Sequence, residues 1–313
     1  MHRGSSKHRF SVIAISAAAL AIAALVAPSA GAARRKPITR PAATSSTSPP
    51  RAVTNFDVDA ASLPEVSGCA VSRRDPTIVW AHNDSGNEAA VIPVNRNTGA
   101  VGAAVAITNA KPKDPEDLAI DADGTLWLGD IGDNDRKRDE IAVYAFSEPA
   151  AGARTAEATS IRLRYPDGPH DAEALLIAPD SKDLIVITKD KSGVASVFRA
   201  PSAPSTATVT MTQVGSIAIR GETYPKPNLI TAADALPDGT GVIVRTYERG
   251  YLLRRKPGQQ FASVWQAGPE PIELPFMIQG EAICVAPDAR TLITASESFG
   301  ANTFRMSVLP TPR

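Results

Sequence analysis

The sequence predicts an all-β fold, a β-propeller, on three observations. A strand-turn-strand unit recurs along the chain, its copies begin at 67, 116, 173, 231 and 281, and every spacer between copies holds further strand material. A repeat of about 50 residues built from short strands is the signature of small sheets set radially around an axis.

The clearest copy is Glu116 to Asn134, E-D-L-A-I-D-A-D-G-T-L-W-L-G-D-I-G-D-N. Two short apolar runs, 118–120 and 126–128, flank an Asp-Gly turn, which is the strongest local hairpin signal. A hairpin returns the chain to its starting edge, so Glu116 and Asp117 are expected beside Asp130, Asp133 and Asn134. The same layout runs over 173–189 and 281–297, a fourth copy starts at Thr231, and 67–86 is a degenerate first copy. Strand material at 141–146, 161–164, 194–198, 214–219 and 251–254 brings the expectation to four strands per blade. After Glu297 only 303–309 reads as strand, so the segment 53–59 is expected to complete the last sheet and protect its edge. Five starts and this closure predict five blades. Six is the alternative, if the long spacer 189–231 conceals a blade without the motif.

The first 32 residues read as a signal peptide: Arg3, Lys7 and Arg9, an Ala-rich apolar stretch from 10 to 26, and Ala30-Gly-Ala32 for cleavage. An uncleaved anchor is the other reading of a stretch near the spanning limit. No later segment is apolar enough to span a membrane. Residues 33–52 are rich in Pro, Ser, Thr and basic side chains, contain no acid, and cannot build a core. They read as a disordered linker, leaving 53–313 as one propeller domain, secreted or envelope-associated and monomeric.

The formal charge of zero conceals an asymmetry. From residue 53 onward 25 basic residues face 33 acidic ones, a net of −8. Such a domain has no footprint for nucleic acid and suits a cation. The two cysteines, Cys69 and Cys284, fall in the first and last copies, which ring closure makes neighbours. A closing disulfide is one reading in an oxidising compartment. Their offsets of 2 and 3 from the repeat starts put them on opposite faces by strand alternation, which favours buried free thiols.

Inner strands begin, and second strands end, at one rim of a propeller's channel. That rim should gather Glu65, Glu116, Asp117, Asp171, Glu173, Asp234 and Glu281 from strand starts, and His82, Asn83, Asp84, Asp130, Asp133, Asn134, Lys189, Arg245, Tyr247 and Glu297 from strand ends. Crowded carboxylates need a cation, a proton or a basic partner, and an all-oxygen set suits Ca²⁺. The expected metal ligands are Glu116, Asp130, Asp133, Asn134, Glu173 and Glu281. The competing reading has the acids cap Asp-Gly turns. Lys189, Arg245 and Tyr247 are candidates to hold an anionic ligand, or else to neutralise Glu173, Glu281 and Glu297. His82, His170 and Asp171 are the candidate acid–base groups. The histidines lack the partners of a zinc site. Trp80 and Trp127, on equivalent strands, read as packing between sheets.

Seven blocks occur in order: H-N-D-S-G at 82–86, P-E-D-L-A-I at 115–120, G-D-I-G-D-N at 129–134, Y-P-D-G-P-H-D-A-E-A-L at 165–175, T-A-A-D at 231–234, R-T-Y at 245–247 and Q-G-E-A-I at 279–283. Together they resemble a group of secreted actinobacterial propellers, distantly similar to the phytase-like and SdiA-regulated propeller families. The resemblance implies Ca²⁺ held at the channel mouth, with Glu116, Asp130, Glu173 and Glu281 facing the ion and Lys189 and Arg245 facing an anion. The expected function is a binding module whose mouth takes a small molecule or peptide. The alternative is a Ca²⁺-assisted phosphoester or carboxylic ester hydrolase, with the metal polarising the ester.

Overall fold

Alternating apolar residues make each strand two-faced, and five such sheets bury their faces only by stacking around a ring. The structure, a computed structural model, describes residues 53–222, 228–277, 279–297 and 303–312. The expected signal peptide (1–32) and linker (33–52) lie outside the described residues. Strand β1 (Thr54–Asp59) is followed by the first blade, β2 (Val66–Val71), β3 (Ile78–Asn83), β4 (Ala90–Asn95) and β5 (Val105–Thr108). The second blade holds β6 (Pro115–Ile120), β7 (Thr125–Asp130), β8 (Ile141–Ser147) and, after the short β9 (Thr155–Glu157), β10 (Thr159–Arg164). The third holds β11 (Ala172–Ile177), β12 (Leu184–Thr188), β13 (Val194–Ala200) and, after β14 (Val209–Thr210), β15 (Thr212–Ala218). The fourth is β16 (Ile230–Ala235), β17 (Gly241–Thr246), β18 (Gly250–Arg254) and β19 (Glu270–Ile272). The fifth is β20 (Gly280–Val285), β21 (Thr291–Ser296), β22 (Thr303–Pro310) and the returning β1.

The fold is therefore a five-bladed propeller. The inner strands β2, β6, β11, β16 and β20 pack side by side in that order, and β20 returns to β2. Among the described residues the spacer 189–231 holds no sixth blade; it supplies β13, β14 and β15. Strand β1 pairs antiparallel with β22 from Thr54↔Val308 to Asp59↔Thr303, so the N-terminal strand closes the ring as expected. The four-strand count needs one refinement. Strand β9 leaves the second blade to pair in parallel with β5 of the first, and β14 leaves the third to pair with β10 of the second. Each outer edge so covered is one fewer row of unpaired backbone groups.

Five apolar clusters fill the five seams. Trp80 packs between the first and second blades, Trp127 between the second and third, each with its indole N–H satisfied by a carboxylate, Glu148 at 3.0 Å and Asp121 at 3.3 Å. The seam between the third and fourth blades also takes Phe261, Val264 and Trp265 from a single 3₁₀ turn (Phe261–Gln266). Gly215 faces that turn, and a Cβ there would lie 2.6 Å from the Trp265 Cβ. Burying one such side chain stabilises the fold by about 1.5–3 kcal/mol. No helix among the described residues is long and apolar enough to cross a membrane.

The cysteines correct one expectation. Both are buried and unbonded, but their sulfurs face each other 2.9 Å apart in the seam between the first and fifth blades. Strand alternation does not separate them. Neighbouring blades of a ring present opposite faces to one another, so residues of opposite parity on two inner strands are the ones that meet.

Candidate cation-binding mouth

Every inner strand carries one extra residue near its start. The register slips between Val66 and Cys69, Pro115 and Asp117, Ala172 and Ala174, Ile230 and Ala232, and Gly280 and Ala282. A bulge of this kind releases a residue from the ladder and re-aims its side chain. In the last four blades the released residues are Glu116, Glu173, Thr231 and Glu281, all buried polar side chains at the rim. The hydroxyls of Ser67 and Thr231 reach across to the neighbouring inner strand, donating to Glu116 O at 2.6 Å and Gly280 O at 2.8 Å.

Three carboxylates converge on the seam between the first two blades. Oxygens of Asp84, Asp114 and Glu116 all lie within 4.8 Å of one another. Asp84 follows β3, Asp114 precedes β6, and Glu116 is the bulged residue. Their backing is Gly132, where a Cβ would fall onto Glu116 Oε1 and 2.5 Å from Asp114 Oδ2. Only a glycine leaves room for both oxygens. Burial raises the pKa of Asp84 and Asp114, with repulsion from Glu65 adding to the first and from Asp84 to the second. Glu116 is raised well above the ordinary range, by burial first and then by the charges of Asp84 and Asp114. The Lys189 ammonium opposes this at Asp84 and Glu116.

The other expected ligands serve the loop around this cluster. Asp130 Oδ1 accepts from the backbone N–H groups of Lys113 (3.0 Å) and Asp114 (2.9 Å) and from Arg138 Nη1 (2.9 Å), so it fixes Asp114 in place. Asp133 accepts from Arg138 N at 2.7 Å and donates its own N–H to Asp171 Oδ1 at 2.9 Å. Asn134 is exposed. Glu173 is paired with Lys189, whose ammonium also lies 5.5 Å from the centre of the Tyr247 ring. Glu281 is buried, and its charge bears on Glu116, Tyr247 and Arg245. Burial and the charges of Glu281, Glu116, Glu297 and Asp171 push the Tyr247 phenol far up, so it stays protonated.

Arg245 is inside the fold and does not line the mouth. It is fully buried and donates to Thr246 O (3.0 Å), Tyr247 O (3.3 Å), Ala282 O (3.3 Å) and the Thr294 hydroxyl. It pairs with Ala232 in the ladder, at the place where Gly129, Ile187 and Ala295 pair with Asp117, Ala174 and Ala282. That position points into the seam between blades. His82 is likewise buried and not in a rim loop. Burial lowers its pKa to about 4, and its neutral ring donates from Nδ1 to Asn83 O at 2.9 Å. His170 is held by Asp167 at 2.9 Å and lies edge-on to Tyr165.

Of the three clustered carboxylates, Glu116 alone is among the expected ligands; Asp84 is expected at the rim but not as a ligand, and Asp114 is the residue that sequence reasoning missed altogether. Its signal was the i, i+2 spacing from Glu116, which puts two side chains on one face of extended chain. At the opposite end of the channel a cavity of 250 Å³ is lined by Arg73, Asp121, Lys182, Asp234 and three hairpin-turn prolines, Pro179, Pro237 and Pro287. Its cations are occupied: Arg73 donates to Val71 O, Ile120 O and Asp121 O, and Lys182 pairs with Asp123.

No family model and no curated protein matches the chain. Among solved structures it is similar to the RRP9 WD40 repeats, at 10% identity over 82% of this chain and 97% of that one, with a TM-score of 0.46. A gluconolactonase from Xanthomonas campestris is 14% identical over 81% and 74%, TM-score 0.45. The hydrazine synthase of Kuenenia stuttgartiensis is 13% identical over 80% and 96%, TM-score 0.44. At such low identity none of these likenesses assigns an activity to this chain.

Proposed function

We propose that this propeller is a binding module that holds a divalent cation, Ca²⁺ by its donor chemistry, with Asp84, Asp114 and Glu116, and takes a small molecule or peptide at the same mouth. The convergence of three carboxylates against Gly132 carries the reading. Three such groups within contact distance cannot all ionise without a counter-charge. Arg138 is engaged by Asp130 and Lys189 by Glu173, so neither cation is dedicated to the cluster. Carboxylate oxygens in this number, completed by water or a hydroxyl such as that of Ser85, match a hard ion that takes 6–8 oxygens. Lys189 and Tyr247 beside the cluster would meet the polar groups of a ligand. Export rests on the N-terminal segment alone, and kinship with phytase-like or SdiA-regulated propellers on the ordered sequence blocks.

Titration calorimetry with Ca²⁺ tests the proposal. One site is expected, with a Kd of roughly 0.1–1 mM, as in extracellular modules. Asp114→Asn and Glu116→Gln should each weaken it at least about tenfold, a loss of about 1.4 kcal/mol. Absence of heat at millimolar Ca²⁺, or affinity unchanged in both variants, would overturn it.

A further inference from the structure

We propose that Cys69 and Cys284 are a disulfide site that locks the first blade to the last. The two are the only cysteines in the chain. They sit on β2 and β20, the inner strands on either side of the ring's closing seam, and their sulfurs are 2.9 Å apart. That is closer than two unbonded sulfurs rest in contact. Each is 1% exposed, and the surrounding side chains, among them Val66, Ala282 and Ile293, are mainly apolar, with the buried Arg245 charge bearing on Cys69. Ring closure otherwise rests on this seam and on the six-residue ladder between β1 and β22. The residues are 215 positions apart, so a bond between them would close a loop through nearly the whole propeller and restrict the unfolded chain strongly.

The chemistry requires a disulfide-bearing oxidant. One cysteine thiolate attacks a sulfur of the oxidant, displacing one thiol and leaving a mixed disulfide. The second thiolate attacks the cysteine sulfur of that mixed disulfide, releasing the oxidant's other thiol. The two cysteine protons end on the two released thiols, and the oxidant gains the two electrons that the cysteines lose. Neither sulfur is reachable once the seam has closed. Burial also pushes the Cys284 thiol well up, which keeps the thiolate scarce in the closed ring. The bond therefore forms while the first and fifth blades are still coming together, and the finished seam then shields it from reductants.

The test refolds the full chain from urea in a glutathione redox buffer and, separately, with excess dithiothreitol. Each product is then denatured in N-ethylmaleimide and weighed. Oxidative refolding should give a chain lighter by two hydrogens that takes up no maleimide. The reduced product should take up two, and should remain reduced when the native protein is later exposed to oxidised glutathione. The oxidised form should melt roughly 5–10 °C higher, a gap that vanishes in Cys69→Ala and in Cys284→Ala. Two maleimides after oxidative refolding, or glutathione adducts in place of the internal bond, would overturn the proposal. If refolding from urea fails, chain exported to an oxidising compartment and alkylated directly gives the same two readouts.

Discussion

Arg245 is the largest fully buried side chain among the described residues, and a guanidinium taken out of water persists only where oxygens receive its N–H groups. Burial lowers its pKa to about 10, and the nearby Glu281 charge works against the fall. Gly280 makes the space: a Cβ there would land on the guanidinium. Replacing the side chain would leave the buried Glu281 charge without this counter-charge, and the carbonyls of Tyr247 and Ala282 with only Gly280 N (3.1 Å) and the Thr294 hydroxyl (2.9 Å) as donors. Arg245→Leu should therefore destabilise the protein by about 3 kcal/mol, read from urea unfolding, while Ca²⁺ affinity per folded molecule holds. A loss of ligand binding without a loss of stability would instead return Arg245 to an anion-binding role. Gly132→Ala works in the opposite sense. Its Cβ fills the space used by Asp114 and Glu116, so calorimetry should show Ca²⁺ affinity down at least about tenfold, with the variant still folded. At this scale the sequence was only partly legible. Glu116 stood out because it begins a repeat. Arg245 stands near a strand end yet turns from the mouth, because strand parity, and not proximity to the strand end, decides whether a side chain meets the mouth or the seam.

Elements were legible almost throughout, because each hairpin carries its own turn chemistry. Asp121 Oδ1 accepts from Asp123 N and Thr125 N, both at 2.9 Å, and Gly124 takes a φ of +83° that a side chain would resist. Asp288 repeats the device, accepting from Arg290 N at 2.8 Å and Thr291 N at 3.0 Å. What no local pattern announces is the bulge at the start of each inner strand, since an inserted residue leaves the apolar alternation on either side intact. The parallel strands β9 and β14 were equally silent: two or three residues long, they owe their pairing to the neighbouring blade. Strand β1 was readable only by elimination, from the missing strand of the fifth blade. It anchors there through Val58, fully buried in the closing seam, and Asn55, whose Oδ1 accepts from the Ser307 hydroxyl at 2.6 Å. Val58→Ala should cost about 2 kcal/mol in urea unfolding and leave Ca²⁺ binding unchanged, because the rim cluster lies on the next seam.

Across the whole molecule, carboxylates concentrated along the channel tie stability to pH. Asp117 accepts from Leu118 N at 2.8 Å and Leu175 N at 2.9 Å, so one side chain joins the second and third blades. Asp234 joins the fourth and fifth, accepting from Ala235 N and Val285 N, both at 2.8 Å. Burial still raises Asp117 well above the ordinary range and takes Asp234 to about 6, as it raises Asp84, Asp114 and Glu116. Each of these groups holds its proton more tightly folded than unfolded. Their contribution is complete below the unfolded carboxyl range, near pH 4, and is lost as pH rises through the folded values, about 6 for Asp234. Asp75, Asp135, Glu140, Asp190 and Asp288 are shifted the other way, but they lie at the surface, where solvent screens the effect. His82, held neutral by burial with its pKa at about 4, opposes the raised carboxyls, since its contribution grows as pH rises to the free imidazole range. It is one group against five, so with chelator present the melting temperature should still fall between pH 5 and pH 7.5. A cation reverses the dependence, because it competes with protons for the same oxygens. The rise in melting temperature produced by millimolar Ca²⁺ should grow over that interval. Asp234→Asn should flatten the chelator curve and spare the Ca²⁺ response, whereas Asp114→Asn should diminish both. A melting temperature independent of pH with chelator, or a Ca²⁺ response as large at pH 5 as at pH 7.5, would mean that the rim carboxylates are neutralised by their protein neighbours and hold no ion.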